Sequence, residues 1–119
     1  MSIAAKRPGT LLYTRVVADA RRALSTAEIG GITGVTERSV QNWATGKSTP
    51  DGGARDRLLE LKFIVEELSD VFEDEGIEIW LRSRQRTLDG KTPMELMREG
   101  EFQTVLEAVE RLAGGPKGR

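Results

Sequence analysis

Residues 25–43, Ser-Thr-Ala-Glu-Ile-Gly-Gly-Ile-Thr-Gly-Val-Thr-Glu-Arg-Ser-Val-Gln-Asn-Trp, read as two short helices joined by a tight turn. Ser25 is placed to cap the first helix, and Glu28 to reach back and close a capping box. Gly34 supplies the turn, where a positive φ is easiest for glycine. Thr36 caps the second helix. Ile29, Ile32, Val35, Val40 and Trp43 recur at spacings that turn them inward. Glu37, Arg38, Ser39, Gln41 and Asn42 are left outside. A short helix anchored on its apolar side, with Arg, Ser, Gln and Asn on the other, has what reading a DNA major groove requires.

Working outward, residues 1–8 read as a loose tail, and residues 9–53 as the helix-turn-helix region. Within it, Tyr13, Val16, Val17, Ala20 and Leu24 follow helical spacing. Thr45 to Gly53 is a loop rich in turn formers. Residues 54–73 form a long connecting helix. Its stripe is Leu58, Leu61, Val65, Leu68 and Phe72, widened by Leu59, Ile64 and Val71. That face fits either interior packing or a dimer seam, since a 3-4 repeat is also the coiled-coil pattern.

A second domain spans residues 74–113, with a helix from about Ile77 that turns Ile79, Trp80 and Leu81 inward. Leu88-Asp89-Gly90-Lys91 is a turn. Thr92-Pro93-Met94-Glu95 is a strong helix start, with Thr as cap, Pro at the first position and Glu three residues after the cap. The final helix carries Phe102, Val105, Leu106, Val109 and Leu112 on one face. Residues 114–119 read as a flexible tail. Nothing in the chain alternates as a β-strand does, so the expected fold is all-α.

The 119 residues contain no Cys and no His, which excludes disulfides, Cys/His zinc sites and Cys/His nucleophiles. No run of apolar residues is long enough for a membrane span, and no secretory signal is apparent, so a cytoplasmic location is expected. Adjacent acids such as Asp74 and Glu75 point apart on a helix. Gly46-Lys47-Ser48 lacks the preceding strand and glycine of a phosphate-binding loop. The reading is a non-enzyme without metal or cofactor. Charge is divided: residues 1–57 hold nine Lys/Arg and five Asp/Glu (+4), residues 58–119 nine and fourteen (−5). A basic half with a helix-turn-helix and an acidic half without one suggest two jobs.

Trp43-Ala44-Thr45-Gly46-Lys47 with Pro50 resembles the end of the recognition helix and the next loop in the Xre/lambdoid-repressor family. By that resemblance, Glu37, Arg38 and Asn42 face base edges, with Gln41 beside them, and Thr36, Ser39 and Lys47 lie near phosphates. Gly30 stands where that family usually carries Ala, a departure that costs helix propensity. The second half resembles the toxin-binding domain of Xre/MbcA/ParS-type antitoxins. The resemblance rests on Ile79-Trp80-Leu81, Lys91-Thr92-Pro93-Met94-Glu95-Leu96 and Glu99-Gly100-Glu101-Phe102.

That resemblance implies an antitoxin that binds operator DNA as a homodimer and neutralises a RES-domain toxin that degrades NAD. The toxin contacts expected are Trp80, Arg82, Arg84, Arg86, Glu101, Lys117 and Arg119. Arg82 and Arg86 are expected on one helix face, with Glu78 paired to Arg82. The last helix and tail, Glu101 to Arg119, are expected to cover the toxin's active-site entrance. The alternative is a stand-alone Xre-type transcriptional regulator.

Overall fold

Seven α-helices and one 3-10 turn, with no strand among the described residues, make up the computed structural model, which describes residues 8–112 and Gly114. They are α1 (Pro8–Ala20), α2 (Thr26–Thr33), α3 (Glu37–Thr45), α4 (Gly52–Ser69), α5 (Asp74–Arg82), the 3-10 turn Arg86–Leu88, α6 (Pro93–Arg98) and α7 (Phe102–Leu112). Lys117 and Arg119, and the tails expected at either end, lie outside the described residues except for Pro8 and Gly114. Pro8 opens α1 rather than closing a tail, a place that suits its fixed φ. Two compact units, Met1–Leu59 and Glu60–Arg119, divide within α4.

In the first unit α3 packs against both α1 and α2. Val16, Val17, Ala20, Ala23, Leu24, Ile29, Ile32, Val40, Trp43 and Leu58 are its buried apolar set. Val35, in the turn, is half-buried. Both expected caps of the pair form. Ser25 Oγ accepts from the Glu28 N–H at 3.0 Å and the Ser25 N–H donates to Glu28 Oε1 at 2.8 Å. Gly34 ends α2 with φ of 82°, and its N–H donates to the Gly30 carbonyl at 2.8 Å. The Val35 N–H shares that acceptor at 3.0 Å, which satisfies an end-of-helix carbonyl twice. Gly30 has a reason beyond propensity. A Cβ there would come 2.8 Å from the Val35 carbonyl oxygen, so the absence of a side chain lets the turn fold back onto α2.

α4 begins two residues earlier than the periodicity suggests and ends at Ser69 rather than beyond Phe72. Its buried face is narrower than the sequence stripe. Leu58, Leu61, Ile64 and Leu68 are buried, Val65 and Phe72 are half-buried, and Leu59 and Val71 are exposed. The Arg57 guanidinium, at the start of α4, donates to the Ile32 carbonyl at 3.1 Å.

In the second unit α6 packs against α5 and α7, and α7 against the 3-10 turn. Ile77, Trp80, Leu81, Leu88, Met94, Leu96, Met97, Phe102, Val105, Ala108 and Val109 are buried. Ile79 is not turned inward as expected. It is 59% exposed, because the buried stripe of the helix is Ile77, Trp80 and Leu81. Ile79 stands about 200° around the helix from Ile77 at 100° per residue. Leu112 is likewise 40% exposed at the end of α7, while Ala108 joins the buried stripe. Thr92 and Glu95 form the expected capping box, with Pro93 opening α6.

Candidate functional site

The outer face of α3 is set by how firmly its inner face is held. Val40 and Trp43 are buried, and the Trp43 carbonyl accepts from the Thr14 hydroxyl of α1 at 3.4 Å. At the N-terminus Thr36 has extended backbone and accepts the Ser39 N–H at 3.1 Å. Its hydroxyl also donates to Ser39 Oγ at 3.1 Å, so the two hydroxyls are oriented by each other. At the C-terminus Gly46, with φ of 82°, reverses the chain. The Lys47 and Ser48 N–H groups then donate back to the Asn42 carbonyl at 2.9 and 3.3 Å. This fold-back fixes where Lys47 leaves the helix.

Thr36, Glu37, Arg38, Gln41 and Lys47 are exposed, and Ser39 and Asn42 are half-buried. All seven belong to α3, its cap residue or the turn just beyond it. An α-helix presented this way offers a guanidinium, two carboxamides and two hydroxyls along one surface. With positive Lys47 at one end, that is a set suited to base edges and phosphates.

The other candidate residues lie in the second unit. Trp80 is 8% exposed and belongs to the core; Arg82, Arg84, Arg86 and Glu101 are exposed residues. Arg82 and Arg86 do not share a helix face. α5 stops at Arg82, and Ser83 is extended with φ of −100° and ψ of 145°. Arg86 instead opens the 3-10 turn. The Arg82 guanidinium donates to the Glu78 backbone carbonyl at 3.0 Å, a bond the i,i+4 pattern did not specify. Arg84 reaches the Gly90 carbonyl at 3.1 Å.

Between them the chain is tightly closed. Gln85 N–H donates to the Lys91 carbonyl, and Gly90 N–H to the Gln85 carbonyl, each at 3.0 Å. The Gln85 carboxamide donates to the Trp80 and Ser83 carbonyls, each at 3.2 Å. Asp89 and Gly90 adopt the left-handed conformation that the turn demands. The Glu95 carboxyl is held below its ordinary value. Its bond from the Thr92 N–H is the main cause, opposed by some desolvation and aided by the Arg84 and Lys91 charges. Lys91 Nζ lies 3.6 Å from Glu99 Oε1. Among the described residues no cluster of three or more His, Cys, Asp or Glu is arranged to hold a metal, and no helix is long and apolar enough to cross a membrane.

Sequence periodicity missed two features. Arg57 meets Ile32 across 25 positions, and no local pattern announces such a contact. The exposure of Ile79 was legible in principle, because Ile77, Trp80 and Leu81 stand at i, i+3 and i+4 and leave Ile79 off their face.

Two short helices joined by a tight turn, followed by a small helical domain, define an all-α two-unit protein, and comparison with known proteins makes its class specific. Residues 67–115 match the antitoxin Xre/MbcA/ParS C-terminal toxin-binding domain. The mycobacterial cidal antitoxin MbcA of Mycobacterium bovis is 33% identical over 95 residues, 80% of this chain and 84% of that protein. MbcA of Mycobacterium tuberculosis matches to the same extent. A probable mycobacterial cidal antitoxin of Mycobacterium tuberculosis is 32% identical over 88 residues, 74% of this chain and 75% of that one. A chain in the crystal structure of the M. tuberculosis MbcT-MbcA toxin-antitoxin complex aligns with a TM-score of 0.74 and 31% identity, over 85% of this chain and 93% of that chain. This chain therefore belongs to the Xre/MbcA/ParS family of antitoxins.

Proposed function

We propose that the protein is the antitoxin of a two-gene toxin-antitoxin system and has no chemistry of its own. The second unit binds and neutralises a toxin, here read as a RES-domain protein that degrades NAD. The first unit binds operator DNA through α3 and so regulates its own expression in the cytoplasm. The observation that carries the toxin-binding half is the match of residues 67–115 to a toxin-binding domain. The exposed polar face of α3 on its buried Val40 and Trp43 anchors supports the DNA-binding half.

On this reading Thr36, Ser39 and Lys47 meet phosphates, and Glu37, Arg38, Gln41 and Asn42 meet base edges. Arg82, Arg84, Arg86 and Glu101, with Lys117 and Arg119 of the tail, contribute the polar toxin contacts, and Trp80 supports them from the core. One recognition helix spans too few base pairs for tight binding, so a homodimer on half-sites about 34 Å apart is expected.

Co-expression with the product of the adjacent gene tests the first half. The two proteins should co-purify, and the antitoxin should restore growth and cellular NAD in cells making the toxin. An adjacent product that neither binds this chain nor is neutralised by it removes the antitoxin reading and leaves a stand-alone regulator.

A further inference from the structure

The second unit leaves apolar surface outside its core where α4 gives way to α5. Ile79 is 59% exposed in the middle of α5. One turn earlier stands Gly76, a neighbour of Ile79 at i,i+3. The Phe72 side chain covers Gly76 so closely that a Cβ there would come 2.9 Å from Phe72 Cβ and 3.1 Å from Cγ and Cδ1. Phe72 is half-buried and Val71 beside it is exposed. A single exposed isoleucine needs no explanation. Val71, Phe72 packed against Gly76, and Ile79 together leave several apolar side chains wholly or partly open to solvent around the start of α5. Glu73, Glu75 and Glu78 are exposed around it.

We propose that this surface is a toxin-docking site, with Ile79 inserted into an apolar hollow of the toxin whose rim carries lysine or arginine. The proposal rests on the antitoxin reading and adds to it an anchor distinct from the arginines around the 3-10 turn. Charge complementarity selects the occupant. Residues 73–79 carry four acidic groups and no basic one, and with Arg82 one turn beyond Ile79 the surroundings keep an acidic excess, so a partner with cationic groups around its hollow gains steering and specificity there. A second copy would bring the same acidic excess against itself. Position agrees, since Val71, Phe72, Gly76 and Ile79 all fall within the residues that match the toxin-binding domain. An apolar anchor surrounded by charge is also the arrangement in which interface affinity concentrates.

The test uses the full chain and the toxin encoded by the adjacent gene, with affinity and association rate measured at several salt concentrations. Ile79→Arg should raise Kd on the order of tenfold or more, with an unchanged thermal midpoint because the side chain is outside the core. The double variant Glu75→Lys with Glu78→Lys should slow association, and added salt should no longer slow it further. Wild-type binding that Ile79→Arg leaves intact overturns the docking surface while the antitoxin reading stands. A change in self-association alone, seen by sedimentation with toxin affinity unaltered, also overturns it. If the wild-type chain binds no toxin, the antitoxin reading fails first and the surface with it.

Discussion

The carbonyl oxygen of Val35 lies 2.8 Å from the point where a Cβ on Gly30 would stand. The turn after α2 can fold back onto the helix this closely only because Gly30 lacks a side chain. The position therefore decides the angle at which α3 leaves α2, and with it the direction of every polar group on the outer face of α3.

Gly30→Ala is expected to destabilise the first unit. Helix propensity alone favours Ala by about 1 kcal/mol. The added methyl meets backbone rather than a flexible side-chain end, so the turn itself must move. Overpacking of this kind costs roughly 1–3 kcal/mol. The net effect should be a lower denaturation midpoint at unchanged m-value. A midpoint that rises would show that the turn relaxes freely and that propensity wins.

Arg57→Met should destabilise the same unit by about 1–2 kcal/mol. The methionine keeps the apolar stem but leaves the Ile32 carbonyl, near the C-terminal end of α2, without the guanidinium that now donates to it at 3.1 Å. Cations are favoured at helix C-termini, which adds to the loss. Urea unfolding compared with Arg57→Lys measures it. Indistinguishable midpoints for wild type and Arg57→Met would mean that water replaces the bond without cost.

The pH dependence of the second unit should report on Glu95. Its folded pKa is lowered, chiefly by the bond from the Thr92 N–H and further by Arg84 and Lys91. A carboxyl lowered on folding stabilises the folded state above its ordinary value of 4.5. That contribution is lost as pH falls through the lower folded value. Glu95→Gln retains a carbonyl that can accept from Thr92 but does not titrate. The thermal midpoint of wild type should therefore exceed that of Glu95→Gln at neutral pH, and the gap should close as pH falls below the ordinary value and through the lower folded one. A gap that stays constant across that range would place the effect of Glu95 in packing rather than charge.

Much of this fold is local in origin, and local features were legible. Ser25 with Glu28 and Thr92 with Glu95 are short-range exchanges between a cap and its third residue, written in four consecutive positions. Gly34 and Gly46 mark their turns for the same reason. Periodicity failed at Ile79, which adjoins Trp80 and Leu81 in sequence but stands about 200° around the helix from Ile77, outside the stripe of Ile77, Trp80 and Leu81. It failed again after Arg82, where the helix ends and the spacing of Arg86 no longer has its i,i+4 meaning. Arg57 with Ile32 was out of reach because the two lie 25 positions apart and meet only in the folded chain. For the candidate sites, position on α3 was legible from spacing. The assignment of toxin contacts depended on family resemblance, because the same residues also satisfy the requirements of a small helical core.

The roles proposed for Arg38 and Lys47 differ in a way that salt can separate. Arg38 is exposed in the first turn of α3, where a recognition helix points residues at base edges. Lys47 follows Gly46, and its backbone is tied to the Asn42 carbonyl at 2.9 Å, at the edge of that face rather than on it. A base contact discriminates between sequences, whereas a phosphate contact releases counterions whatever the sequence. Arg38→Ala should thus cost roughly 1–3 kcal/mol on the operator and relax specificity at one position. It should change binding to unrelated DNA far less. Lys47→Ala should weaken operator and unrelated DNA alike, and flatten the slope of log K against log salt by about one. Titrations of both variants on both DNAs at several salt concentrations decide the matter. Equal losses of Arg38→Ala on operator and unrelated DNA, with a flattened slope, would assign Arg38 to phosphate and move base reading to Gln41 and Asn42. An operator affinity that neither variant changes would take α3 out of the groove altogether.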